Sequence, residues 1–108
     1  MFEIRTYVLA SQSGLEQYAN VHWKRHILSL AAFGVRTHHV WTEVDGAVPR
    51  LVALVEYEQG LDPEAVTERY MASPEFRADM AGFPMGEIRD VSFVRLEAAS
   101  SDPATSLP

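Results

Sequence analysis

A chain of 108 residues is enough for one domain with a single core and too short for two, since folding at this length buries roughly two-thirds of the extended-chain surface. Its hydrophobic share of 47% and charged share of 22% are those of a globular protein and exclude the disordered class. Nine basic side chains against fifteen acidic ones give a formal charge of −6 with the cations scattered singly, which argues against a nucleic-acid partner, and the absence of cysteine excludes disulfides, thiolate catalysis and zinc-finger chemistry.

Phe2 to Leu9 alternates, with Phe2, Ile4, Thr6 and Val8 on one side and Glu3, Arg5, Tyr7 and Leu9 on the other, and reads as a strand. Ser13 with Glu16 has the form of a capping box and starts a helix that runs to about Phe33, where Gly34 stops it. The longest apolar run, Ile27 to Phe33, is broken by Ser29 and far shorter than the roughly 18 residues of a membrane span. No basic-then-apolar leader follows Met1, so the expectation is a cytoplasmic protein with no membrane partner.

Val35 to Val44 and Leu51 to Tyr57, joined through Asp45-Gly46 and Pro49, read as a hairpin. Leu51 to Val55 is apolar on both faces and belongs inside a sheet, whereas the first arm carries Arg36, His38, His39 and Glu43 and belongs nearer an edge. Asp62-Pro63-Glu64 and Ser73-Pro74-Glu75 each pair an N-cap with a proline at the first helical position, which predicts two short helices or one broken helix. Glu87 to Leu96 is the final strand of a domain spanning residues 1–97, and residues 98–108 read as a disordered tail.

The order β-α-β-β-α-β is that of the ferredoxin-like α+β fold, with both helices on one face of a four-stranded antiparallel sheet. The other face would expose apolar residues, and pairing with a second copy would bury them; a homodimer is therefore expected.

The residues resemble the NIPSNAP family of the dimeric α+β barrel superfamily. The likeness is carried by F-E-I-R-T-Y at Phe2 to Tyr7, W-K-R-H at Trp23 to His26, F-G-V at Phe33 to Val35, W-T-E-V at Trp41 to Val44, L-V-A-L-V-E-Y at Leu51 to Tyr57 and S-P-E-F at Ser73 to Phe76, in consistent order and spacing to about Leu96. It implies a ferredoxin-like protomer, a homodimer and kinship with small cofactor-independent enzymes and small-molecule-binding proteins. It implies no catalytic residue set, and many relatives have a small residue where this chain has His39.

On the first helix Leu15, Ala19, His22, His26, Leu30 and Phe33 fall on one stripe at about 100° per residue, so two imidazoles occupy a face that should be aliphatic. Either both are hydrogen-bonded structural groups, or at least one lines a cavity as general acid or base. A metal or organic cofactor is not expected, because His-Trp-Lys-Arg-His lacks the zinc-protease glutamate and no glycine-rich phosphate loop is present. Arg5 and Tyr7 share a strand face and suit a substrate carboxylate or enolate, or else a salt bridge to Glu3 or Glu43 and a packed dimer contact. His38 and His39, adjacent in a strand, should point to opposite faces: either one meets solvent and the other fills the dimer seam, or His39 and Trp41 wall a pocket together with Trp23, Tyr57, Phe83 and Met85, aromatic and pliable residues that could equally be core. Phe83-Pro84-Met85 between Gly82 and Gly86 could serve as a lid.

These features point to a small enzyme acting by acid or base chemistry, of cyclase, isomerase or dehydratase/lyase type, on a hydrophobic oxygenated or aromatic metabolite. A non-catalytic dimer that binds a small molecule or a protein is the alternative; a cofactor-free or haem-linked monooxygenase is a further one by analogy.

Overall fold

The alternation at the N-terminus is realised as β1 (Phe2–Leu9), in which Glu3, Arg5, Tyr7 and Leu9 are buried and the residues between them only half-buried. In the computed structural model, which describes residues 1–104, β1 leads into α1 (Gln12–Gln17), a π-helical turn at Tyr18–His22 and α2 (Trp23–Ala32). The hairpin is β2 (Val35–Thr42) and β3 (Arg50–Tyr57); then come α3 (Pro63–Met71) and α4 (Pro74–Asp79), a 3-10 turn at Met85–Glu87 and β4 (Ile88–Leu96). Sheet order is β2-β3-β1-β4 with all neighbours antiparallel, the ferredoxin-like arrangement, and the apolar β3 lies inside while the more polar β2 is an edge. Residues 98–104 of the expected tail hold no helix or strand, and 105–108 lie outside the described residues. No helix among the described residues is long and apolar enough to cross a membrane.

The first helical run departs from its sequence pattern in two ways. Its N-cap is Ser11, whose extended backbone lets the side chain accept from the Gly14 amide; Ser13 already lies inside the first turn, so the Ser13–Glu16 box does not form. The π turn then inserts an extra residue into the helix, so that Tyr18 and Trp23, bonded through the Tyr18 carbonyl, are both buried, while Ala19 is half-buried and packed against the core. His22, Trp23, His26 and Leu30 continue the stripe.

A third departure lies in β2. A bulge between Thr37 and His39 puts an extra residue opposite β3, so His38 and His39 do not point to opposite faces. His38 bonds Glu56 and lies beside the Phe2 ring, and His39 stacks on Trp41; all belong to the sheet face away from the helices. Leu54, Ile4 and Val94 run across that face in register, next to Leu96. Every residue of β4 except Ile88 is exposed, although Arg95 reaches Glu64 of α3 at 3.7 Å.

Phe33 and Gly34 close α2 by donating to the carbonyls of Leu30 and Ala31, and Gly34 takes a φ of +84° there. A Cβ at Gly34 would come within 2.6 Å of Leu61 Cδ1. Gly34→Ala is expected to lower stability by about 1–2 kcal/mol with no change of fold, measured by urea denaturation with circular dichroism as control.

Candidate functional site

Between the helices and the sheet lies a cavity of about 400 Å³, lined by Arg5 and Tyr7 of β1, Tyr18, Trp23 and His26 of the first helical run, and Tyr70 of α3. Phe76 and Met80 close the α4 side; Met85 and the exposed β4 residues Val91 and Phe93 form the rim. Its walls are mainly aromatic and apolar, with a few polar groups converging from two sides, as in ordinary small-molecule sites.

The two histidines separate here. His22 is 1% exposed and does not line the cavity. Its Nδ1 lies 2.8 Å from the Asp79 carbonyl, which can only accept, so Nδ1 carries the hydrogen and Nε2 accepts from the Gln17 amide at 3.2 Å. Both ring nitrogens are thus used, and His22 serves to tie the π turn to the end of α4.

His26 lines the cavity, and its tautomer follows from a chain of single protons. The Tyr70 hydroxyl has one hydrogen and donates it to Asp79 Oδ2 at 2.5 Å. It must therefore accept from His26 Nδ1, which bonds to it. Nε2 is left with a lone pair and no hydrogen-bond partner among the described residues. Burial outweighs the Asp79 carboxylate and pushes the imidazole down to about 4, so His26 is neutral at ordinary pH. Burial, helped by the hydrogen bond to Asp79, holds the Tyr70 phenol far above its usual value, so Tyr70 stays protonated.

On the opposite wall Arg5 Nε donates to Glu3 Oε1 at 2.8 Å and Nη2 to the Tyr57 hydroxyl at 2.7 Å, while Tyr57 donates to the same Glu3 oxygen at 2.8 Å. Arg5 is the only member of this ring that lines the cavity. Burial opposes its charge, but Tyr7, Tyr57 and Glu3 more than reverse that, and the guanidinium is held above its usual value. Burial raises the Tyr7 phenol, with Arg5 pulling the other way, and raises Tyr18 well above its ordinary value. Trp23 Nε1 is buried without an acceptor.

Of the residues expected from sequence, His26, Tyr7, Arg5, Trp23 and Met85 meet at the cavity. Tyr57 stands behind Arg5, and the Arg5 salt bridge is to Glu3, Glu43 being paired with Arg50. His39 and Trp41 are on the far sheet face, because the bulge turns His39 away. Phe83 packs on Tyr18 and His22 and lies outside the lining. The loop carrying it is not free: Gln17 holds the Gly82 carbonyl and Arg25 that of Ala81, so only Met85 reaches the rim. Sequence reasoning missed Tyr18, Tyr70 and Asp79. Tyr70 lies one turn past Val66 on the buried stripe of α3, a usable signal; Asp79 carries none, since an Asp near a helix end ordinarily faces water. Among the described residues no group of three or more His, Asp or Glu is placed to hold a metal ion.

The NIPSNAP family model matches residues 2–101. An uncharacterised NIPSNAP domain protein from Burkholderia xenovorans superposes with a TM-score of 0.71 at 20% identity, over 94% of this chain and 97% of that one. A NIPSNAP family protein of unknown function from Agrobacterium tumefaciens gives 0.72 at 18% identity, over 94% and 90%. An antibiotic biosynthesis monooxygenase gives 0.55 at 11% identity, over 92% and 99%, a likeness of fold alone. No curated protein matches the chain.

The unfolded chain protonates a histidine near pH 6.5, the folded chain only near 4, so between these values the unfolded state binds more protons and acid weakens the fold. Stability should fall by about 3 kcal/mol through this group as pH drops from 6.5 to 4, a slope that His26→Gln removes in urea titrations. The His26 ring resonances should remain those of a neutral imidazole down to about pH 4 in NMR titration.

Proposed function

The chain belongs to the NIPSNAP family, and from that premise we propose that it is a small enzyme, needing no organic cofactor, that moves a proton on an apolar, oxygen-bearing ring compound. The observation that carries this reading is the bare Nε2 of His26 at the cavity wall, its tautomer set by Tyr70 and Asp79. A neutral imidazole held by a carboxylate through a protonated phenol is arranged to take a proton, and positive charge developing on the ring would be stabilised by Asp79. The opposite wall supplies Arg5 and the Tyr7 hydroxyl to a substrate oxygen that gains negative charge as the proton leaves. A base whose conjugate acid has a pKa of about 4 is weak, which suits hydrogens already acidified by a neighbouring carbonyl. Enolisation of that kind is the shared step of isomerisation, of dehydration next to a ketone, and of aldol-type ring closure.

A two-ring ketone, 2-acetylnaphthalene, is a suitable probe for a cavity of about 400 Å³. The protein should bind it, seen by NMR saturation transfer, and exchange its methyl hydrogens for deuterium in D2O. His26→Gln should still bind while exchange falls by roughly a hundredfold or more. Binding without exchange in the wild-type chain would instead assign a non-catalytic small-molecule module.

We also infer that the protein acts as a homodimer joined through the helix-free sheet face. Ile4, Leu54, Val94 and Leu96 cross that face in register, and Trp41 beside them is 49% exposed. An apolar surface of this extent is seldom left in water by a monomer. Leu54→Asp should halve the mass measured by light scattering and leave the helical circular dichroism unchanged.

A further inference from the structure

The cavity contains a full positive charge at Arg5, yet the surrounding charges leave nothing for an anion to collect. Arg5 Nε and Glu3 Oε1 are 2.8 Å apart, both side chains are about 95% buried or more, and Tyr57 bonds to both. Glu3 is also 3.5 Å from Arg95, but Arg95 is half-exposed, shares itself with Glu64 at 3.7 Å and does not line the cavity. The rings of Phe93 and Tyr57 flank the guanidinium, with its carbon 5.7 and 5.9 Å from their centroids. On the other wall His26 is neutral and the Asp79 carboxylate stands directly behind Tyr70. The buried groups around the cavity therefore sum to no net positive charge.

A ligand carboxylate entering this space would lose its water, find its only cation already neutralised, and meet the field of Asp79. A ketone or quinone oxygen loses far less hydration and needs only hydrogen-bond donors, which the remaining edge of Arg5 and the Tyr7 hydroxyl provide. We infer that Glu3 is a specificity-determining residue of this cavity: by holding Arg5 in a neutral pair it selects an uncharged carbonyl compound and rejects the carboxylate of the same shape. Charge separation is then kept for the proton-transfer step, where the oxygen becomes anionic only after the ligand is seated. This inference rests on the cavity being a ligand site, as proposed above; it does not depend on His26 acting as a base.

Two probes of nearly identical shape decide it: 2-acetylnaphthalene, which is neutral, and 2-naphthoate, which is charged at pH 7. Dissociation constants measured by NMR titration of the wild-type chain should favour the ketone by at least tenfold. Glu3→Gln keeps a partner for Arg5 and Tyr57 but frees the positive charge, and should shift the ratio toward naphthoate by at least tenfold. Equal or tighter binding of naphthoate by the wild-type chain overturns the inference, and an unchanged ratio in a folded Glu3→Gln overturns the role of Glu3. The wild-type ratio needs no variant, so the inference remains exposed to failure even if Glu3→Gln does not fold. Selective binding of the ketone without deuterium exchange would uphold the inference and sink the acid-base reading; binding of neither probe would sink both.

Discussion

Asp79 holds the two histidines of the first helix in different ways, and most of the cavity depends on this. Its backbone carbonyl accepts from His22 and from Arg25, fastening the end of α4 to the π turn and the start of α2. Its carboxylate accepts from Tyr70, and through that phenol governs His26. One residue at the end of a six-residue helix thus joins α2, α3 and α4 above the sheet. Because each intermediate group has a single hydrogen to give, the directions of the bonds are not free. The carboxylate at one end leaves a bare nitrogen at the other.

The sheet poses the converse problem. Its central strand β1 carries two charged residues, Glu3 and Arg5, on the face that helices cover, where unpaired charges would be untenable. They are tolerated because they neutralise one another at 2.8 Å and because Tyr57, from the neighbouring strand, satisfies both. Such a pair contributes little net stability but gives the cavity a fixed donor that does not move when a ligand arrives. The two ends of the cavity are therefore built alike: a carboxylate and a tyrosine stand behind the group presented to the interior, Glu3 and Tyr57 behind Arg5, Asp79 and Tyr70 behind His26.

The π turn and the bulge in β2 each add one residue to a regular element, and each redirects chemistry. The first lets Tyr18, His22, Trp23 and His26 all be buried. The second sends both His38 and His39 to the helix-free face. Neither insertion has a local signature in side-chain type, which is why a strict period of 2 misplaced His39 and a period of 3.6 did not foresee Trp23 on the buried side.

The sequence by itself determined the element order, the stops and caps at Gly34, Asp62 and Ser73, and the interior place of β3, because these follow from backbone freedom, local side-chain bonds and the cost of exposing an apolar strand. It also placed His26 on the inward face of its helix and put Arg5 and Tyr7 on one face of their strand, as periodicity alone can do; that this strand face is the buried one came from the packing. Only the tertiary structure decided that His22 is saturated while His26 is not, that Tyr57 stands behind Arg5, and that Asp79 is buried at all. Those outcomes depend on which carbonyl or hydroxyl lies within about 3 Å of a given atom, and such distances are set by how α4 packs on α2 and how β3 pairs with β1. A pattern read along the chain specifies which way a side chain faces; its hydrogen-bond partners belong to the packing.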